Sequence, residues 1–173
     1  MKQWGQKPEE ISTEVTGRVP VLISHDNRYF QDKYQGVPKD GFTPMFEHML
    51  DHENITVLLE TECKDRLELQ ENGILFDGQP FEGDVVYTGA LDELFCCRFG
   101  RLPYRSLDFC FEHYDENSYQ GHSVVNYTVS EKYTRITEFR FLTGQKDGEG
   151  TTIVKEYPFA YSGAKGEIPY YAI

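Results

Sequence analysis

The second half of the chain constrains the fold most. Four runs, "YRSLDFCFEHY", "SVVNYTVS", "YTRITEFRFL" and "TTIVKEYPF", alternate in character residue by residue. Side chains that alternate by twos belong to a β-strand, whose successive residues point to opposite faces. Turn-rich spacers part the runs, and "TGQKDGEGT" reads as a hairpin loop. Strands that alternate in this way are typical of an antiparallel sheet. Residues 104–160 are therefore expected to form an antiparallel sheet of at least four strands.

The first half is mixed. "PEEISTEVT" reads as a short helical turn opening at Pro8. "TPMFEHMLDHEN" reads as a helix, with Thr43 as N-cap, Pro44 at the first helical position and Met45, Phe46, Met49 and Leu50 apolar. "ITVLLE" reads as a strand, and Asn72-Gly73 between two short strand-like runs signals a hairpin. "DVVYTGALDELFCCRFG" reads as a strand, a turn at Gly89 and a helix beginning near Leu91. The expected fold class is α+β: one 173-residue domain, with a small mixed α/β portion preceding an antiparallel β-sheet.

Charge excludes some partners. Lys and Arg number 17 against 29 Asp and Glu, a formal net charge of −12. Nucleic acid and anionic membrane surfaces repel such a chain. No apolar run reaches transmembrane length, so a cytoplasmic protein is expected. Cys63, Cys96, Cys97 and Cys110 match neither a zinc motif nor a disulfide framework, and read as reduced thiols. His48 and His52 lie four apart without a third ligand, so no metal is expected. The chain holds 12 Tyr and 12 Phe; Tyr, apolar in body and polar at its tip, suits a wet pocket.

Two arginines stand out within the strand runs. Counting by twos along residues 131–142 puts Arg135 on one face with Tyr133, Thr137, Phe139 and Phe141. The same count puts Arg105 with Leu107, Phe109 and Phe111, and Asn126 with Val124 and Thr128. A guanidinium on an aromatic face has two readings. It pairs with a carboxylate or a ring, or it belongs to an anion site, where its planar fork binds phosphate by paired hydrogen bonds. On the second reading Arg105 and Arg135 lie on adjacent strands and converge on one cleft. No dinucleotide fingerprint, Walker motif, nucleophile elbow or Cys/His pair is present. The residues alone reach a β-rich domain with an Arg- and Tyr-lined anion pocket.

The stretches "KQWG", "GRVPV", "DNRYF", "YQGVPKDGFT", "VVYTGALDELF", "FGRLPYRSLDF", "YQGHSVVNYT", "YTRITEFRF", "IVKEYP" and "IPYYAI" together resemble the UDP-galactopyranose mutase family, in family order and near family spacing. The resemblance implies a substrate site for UDP-galactose. It places Trp4 beside the uridine, Arg18 in a mobile loop over residues 14–26, and Tyr29 against substrate. Arg105, Arg135 and Tyr171 fall around the diphosphate and Asn126 near the nucleotide sugar. Thr88 and Gly89 fall at the FAD cofactor. Leu22, Ala172 and "FRFLTG" depart from the family pattern. The Gly-rich FAD-binding segment of the family and its C-terminal "GR…Y…D" segment have no counterpart here, so the chain is expected to be the middle of the enzyme, its mixed α/β portion belonging to an incomplete FAD-binding fold.

In the family the N5 atom of reduced FAD attacks the sugar and displaces UDP, so the resemblance assigns no residue here as acid, base or nucleophile. It implies an isomerase when whole, an inactive isolated segment, and a homodimer as an open expectation. Two alternatives stay open: a non-catalytic nucleotide-sugar-binding module, and a related flavin oxidoreductase.

Overall fold

The computed structural model describes residues 2–17, 23–25 and 31–173. After a helical turn at Pro8–Glu10 come α1 (Thr13–Thr16), α2 (Phe42–Leu50), β1 (Leu67–Gln70), β2 (Gly73–Phe76), β3 (Gln79–Phe81) and α3 (Leu91–Leu94). Then follow β4 (Tyr104–Tyr114), β5 (Val124–Asn126), β6 (Arg135–Glu138), α4 (Phe139–Thr143), β7 (Thr151–Ala160) and β8 (Tyr171–Ala172). The described chain is mixed α/β with antiparallel sheets and few helices. None of the described helices is long and apolar enough to cross a membrane. The chain divides into two compact units, residues 1–41 with 103–173, and residues 42–102.

The first unit is built on a five-stranded sheet in the order β5-β6-β7-β4-β8, with every neighbour antiparallel. β4 and β7 form its spine, paired without a bulge from Arg105↔Ala160 to Tyr114↔Thr151. Ile136 on β6 and Ile153 on β7 are fully buried, and Val154 is 5 % exposed. Burying side chains of this size stabilises by roughly 1.5–3 kcal/mol each.

The sheet departs from the sequence expectation in one informative place. The run over residues 131–142 is not one strand: β6 ends at Glu138 and the chain turns into α4. Gly144 closes that helix in the left-handed conformation, φ 70°, which a glycine adopts without steric cost. Arg140 donates to the carbonyls of Lys146, Gly148 and Gly150, folding the loop back onto the helix. Nor does alternation extend back to Tyr133. Residues before Arg135 lie outside the strand, and the Tyr133 ring packs edge-on against Tyr157, 5.8 Å away, on the face opposite Arg135.

The second unit holds a three-stranded sheet, β1-β2-β3. The Asn72-Gly73 signal does mark a hairpin, with Gln70 opposite Gly73 and Glu71-Asn72 as its turn. Asp77-Gly78, a missed signal, closes a second hairpin with φ of 50° and 73°, the positive values that tight hairpin turns favour. α2 begins at Phe42, so Thr43 and Pro44 lie inside its first turn rather than before it. "ITVLLE" and "DVVYT" form no strand. Both have strand-like composition, but neither has a backbone ladder to join, and Val57, Leu59 and Val86 stand exposed. Asp92 is the one buried residue of this unit, which has no buried apolar side chain.

Candidate functional site

Registers decide which side chains share a face. Asn126 on β5 lies opposite Arg135 on β6, which lies opposite Glu156 on β7, which lies opposite Phe109 on β4. Four residues back along β4, Arg105 faces Ala160 on one side and Tyr171 of β8 on the other. Directly opposed residues point to the same face, and so do residues two and four apart in a strand. Arg105, Asn126, Arg135, Glu156 and Tyr171 therefore all stand on one face of the sheet.

Leu107, Phe109 and Phe111 form an apolar floor on that face by the same count. Phe109 meets the Tyr170 ring at 5.7 Å and Phe111 stacks on Phe139 at 6.1 Å. Phe139 thus joins the floor from α4 and not by strand alternation.

The two arginines are not on adjacent strands: β7 lies between β6 and β4. Four residues along and two strands across put their backbones about 16 Å apart. Their side chains have separate partners. Arg105 Nε donates to the Gln3 carbonyl at 3.1 Å. Arg135 Nε donates to Asn126 Oδ1 at 3.0 Å, and its Nη1 lies 3.7 Å from Glu156 Oε1. The carboxylate-pairing reading of Arg135 therefore holds in part, although its side chain remains 46 % exposed.

The N-terminal turn is tied to the same end of the sheet. Gln3 accepts from Arg105, and Lys2 Nζ donates to the Glu131 carbonyl at 2.8 Å. Trp4, next in sequence and half-buried, is carried there between them. Gly5 follows with φ 69°, and a β-carbon on it would stand 3.0 Å from Arg105 Nη1. The turn thus needs glycine at 5 both for its backbone and to let the guanidinium pass.

The opposite face has different chemistry. Lys155 Nζ bonds both oxygens of Glu112, at 2.6 and 2.8 Å, and Tyr114 donates its hydroxyl to the same carboxylate. The hydrogen bond from Lys155 holds the Glu112 carboxyl below its usual range. Its hydrogen bond to Glu112 pushes Tyr114 up to about 12.

Trp4, Arg105 and Tyr171 gather at one end of the arginine face, with Asn126 and Arg135 further along it. Arg18 and Tyr29, with residues 18–22 and 26 of the 14–26 loop, lie outside the described residues. Thr88 and Gly89 belong to the second unit, just ahead of α3, where a β-carbon on Gly89 would meet the Tyr87 hydroxyl at 2.5 Å. α3 is four residues long, and no Gly-rich phosphate cradle accompanies it, so the residues present do not by themselves fit a flavin dinucleotide. Glu156, 8 % exposed, is the site residue that sequence reasoning missed. Counting by twos along "TTIVKEYPF" puts it between Val154 and Pro158, an acid flanked by apolar residues on its strand face.

Fold and face together define a class: an antiparallel β-domain presenting arginines above an aromatic floor. Comparison with known proteins makes this specific. A family model described as UDP-galactopyranose mutase matches residues 1–173, and the chain belongs to that family. It is 38 % identical over 173 residues to the dTDP-fucopyranose mutase of Escherichia coli, covering 99 % of this chain and 44 % of that protein. It is 38 % identical over 174 residues to a Klebsiella pneumoniae protein named "Probable UDP-galactopyranose mutase", covering 100 % and 42 % respectively. It is 37 % identical over 163 residues to the UDP-galactopyranose mutase of Mycoplasma pneumoniae, covering 93 % and 41 %. The chain thus spans less than half the length of these relatives.

Proposed function

We propose that this chain is the substrate-binding part of a UDP-galactopyranose mutase, that its arginine face takes the diphosphate of UDP-galactose, and that the chain alone does not turn over. The observation that carries the proposal is the shared face of Arg105, Asn126, Arg135 and Tyr171, with the Trp4 turn laid at its end. Charge-assisted hydrogen bonds from guanidinium groups are among the strongest available to a phosphate. Cations fixed beside the diphosphate also stabilise the charge that develops on departing UDP. Asn126 and Glu156 hold Arg135 in place between anion-bound states, and the aromatic floor keeps water from one side of the site. By the family resemblance, Arg18 of the 14–26 loop and Tyr29 beyond it also take part in substrate binding.

In this reading a flavin, held by the rest of the polypeptide, supplies the covalent chemistry at the sugar. Unit 42–102 supports a larger assembly: 61-residue domains are marginal even with a core, and this one buries no apolar side chain. The same reading carries a cytoplasmic location and, as a further expectation, a homodimer. One relative is named for a dTDP-sugar, so the nucleoside, by its base methyl and its 2′-hydroxyl, is a point of choice within the proposal.

Calorimetric titration of the chain with UDP and with dTDP tests it, alongside a turnover assay on UDP-galactofuranose with reduced FAD. The expected result is UDP binding, weaker dTDP binding and no turnover. Tighter dTDP binding would reassign the substrate, and turnover by the chain alone would overturn the segment reading.

A further inference from the structure

Glu138 is an acid in an odd place. It is fully buried, and none of the described ion pairs includes it. It occupies the N-cap position of α4 but makes no side-chain cap there. Its Oε1 instead accepts the Tyr119 backbone N–H at 2.8 Å and the Thr151 hydroxyl at 2.9 Å, and its Oε2 accepts the Gln120 N–H at 2.9 Å. Burial pushes the carboxyl up, but the donors from Gln120, Tyr119 and Thr151 outweigh it and hold Glu138 below its usual range. Packing alone does not call for such a group, since an apolar side chain of similar size fills a core at less desolvation cost.

Its hydrogen bonds join three separate segments: the 118–122 turn, the end of β6 and the first residue of β7. Around it the clamp continues. The Glu138 N–H donates to the Ser123 carbonyl at 2.8 Å, and Gln120 Nε2 donates to the Ile136 carbonyl at 3.2 Å. The clamped turn runs directly into β5. That strand is a three-residue edge strand with Val124 and Asn126 exposed, so little of its own packing fixes its register. A slip of one residue sends every side chain of a strand to the other face. It would take Asn126 away from Arg135 Nε.

We propose that Glu138 is a positioning residue for the anion site: by clamping the 118–122 turn to β6 and β7, it sets the β5 register that holds Asn126 against Arg135 and so aims the Arg135 guanidinium. The proposal rests on the reading of Arg135 as a diphosphate ligand. A ligand-binding side chain is useful only when its supporting shell fixes its direction. Glu138→Gln puts an amide donor where backbone N–H groups already point, which breaks the clamp without changing volume. Thr151→Val is the milder version, since it removes one donor and leaves the carboxylate in place.

The test uses the 173-residue chain, UDP as probe, calorimetry for affinity and cross-strand nuclear Overhauser contacts between Asn126 and Arg135 for register. Glu138→Gln is expected to lose those contacts and to weaken UDP binding about tenfold. Thr151→Val should show a smaller loss of the same kind. In an Asn126→Ala background neither change should weaken UDP further, because the effect runs through Asn126; a merely structural role would lower affinity in both backgrounds. Multiplying effects, or unchanged contacts in Glu138→Gln or in Thr151→Val, would overturn the proposal. Arg135→Ala separates it from the reading beneath: wild-type UDP affinity in that variant sinks the ligand assignment, whereas weakened binding there with an unaffected Glu138→Gln sinks only the positioning role.

Discussion

Gly5→Ala tests the link between the N-terminal turn and Arg105. Residue 5 has φ 69°, a conformation that costs an alanine roughly 1–2 kcal/mol. The new β-carbon would also lie 3.0 Å from Arg105 Nη1 and 3.3 Å from its Cζ. Comfortable non-bonded contact begins near ~3.5 Å, so the guanidinium must retreat by about half an ångström. Arg105 Nε bonds the Gln3 carbonyl of the same turn, so the retreat strains that bond as well. If Arg105 binds the diphosphate, the displaced group loses part of a charge-assisted hydrogen bond, the lower end of ~1.5–3 kcal/mol. UDP affinity should then fall about tenfold. Gly5→Asn separates the two costs, because asparagine tolerates the left-handed backbone but keeps the β-carbon. It should melt closer to wild type than Gly5→Ala, yet bind UDP as poorly. Circular dichroism melts and calorimetry read the two effects independently. Wild-type UDP affinity in both variants would refute the claim that this turn positions Arg105 for ligand.

Two further outcomes follow from the sheet. Glu112 and Glu138 are both held below their ordinary value, so the stability they contribute is fully present above the unfolded carboxylate pKa and is lost as pH falls through the folded one. Acid titration followed by circular dichroism should therefore show unfolding of the sheet below about pH 4, at a higher pH in Lys155→Met, which removes the partner that lowers Glu112; an unshifted midpoint would contradict this. Ile153→Ala empties a fully buried site and should cost ~2–5 kcal/mol. The thermal midpoint should drop by about 4–20 °C, and a drop of only a degree or two would mean that Ile153 is not the core residue described.

Where sequence alternation has a full-length partner strand, it reads the structure well. β4 and β7 pair along nearly their whole length, and the faces counted for Arg105, Leu107, Phe109 and Phe111 are the faces found. The pattern misleads where the backbone stops being extended. Tyr133 lies before β6 and goes to the other face, and Phe139 lies after it in a helix. Gly144, three residues beyond the apparent Phe139-Arg140-Phe141 alternation, was the available sign of that helix. Strand order was not legible, because alternation gives faces but not neighbours; hence the intervening β7 and the role of Glu156. "ITVLLE" carries strand composition without a strand, because a ladder needs a second chain segment that its own residues cannot provide.

The central claim is that the arginine face is a diphosphate site. Its most direct test is the UDP isotherm of the chain compared with Arg105→Ala and Arg135→Ala. Loss of a charged hydrogen-bonding group should weaken UDP binding ~10- to 100-fold in each variant. Uridine, which lacks the diphosphate, should bind weakly and equally to all three. UDP affinity within about twofold of wild type in both variants, a difference below ~0.5 kcal/mol, would contradict the account.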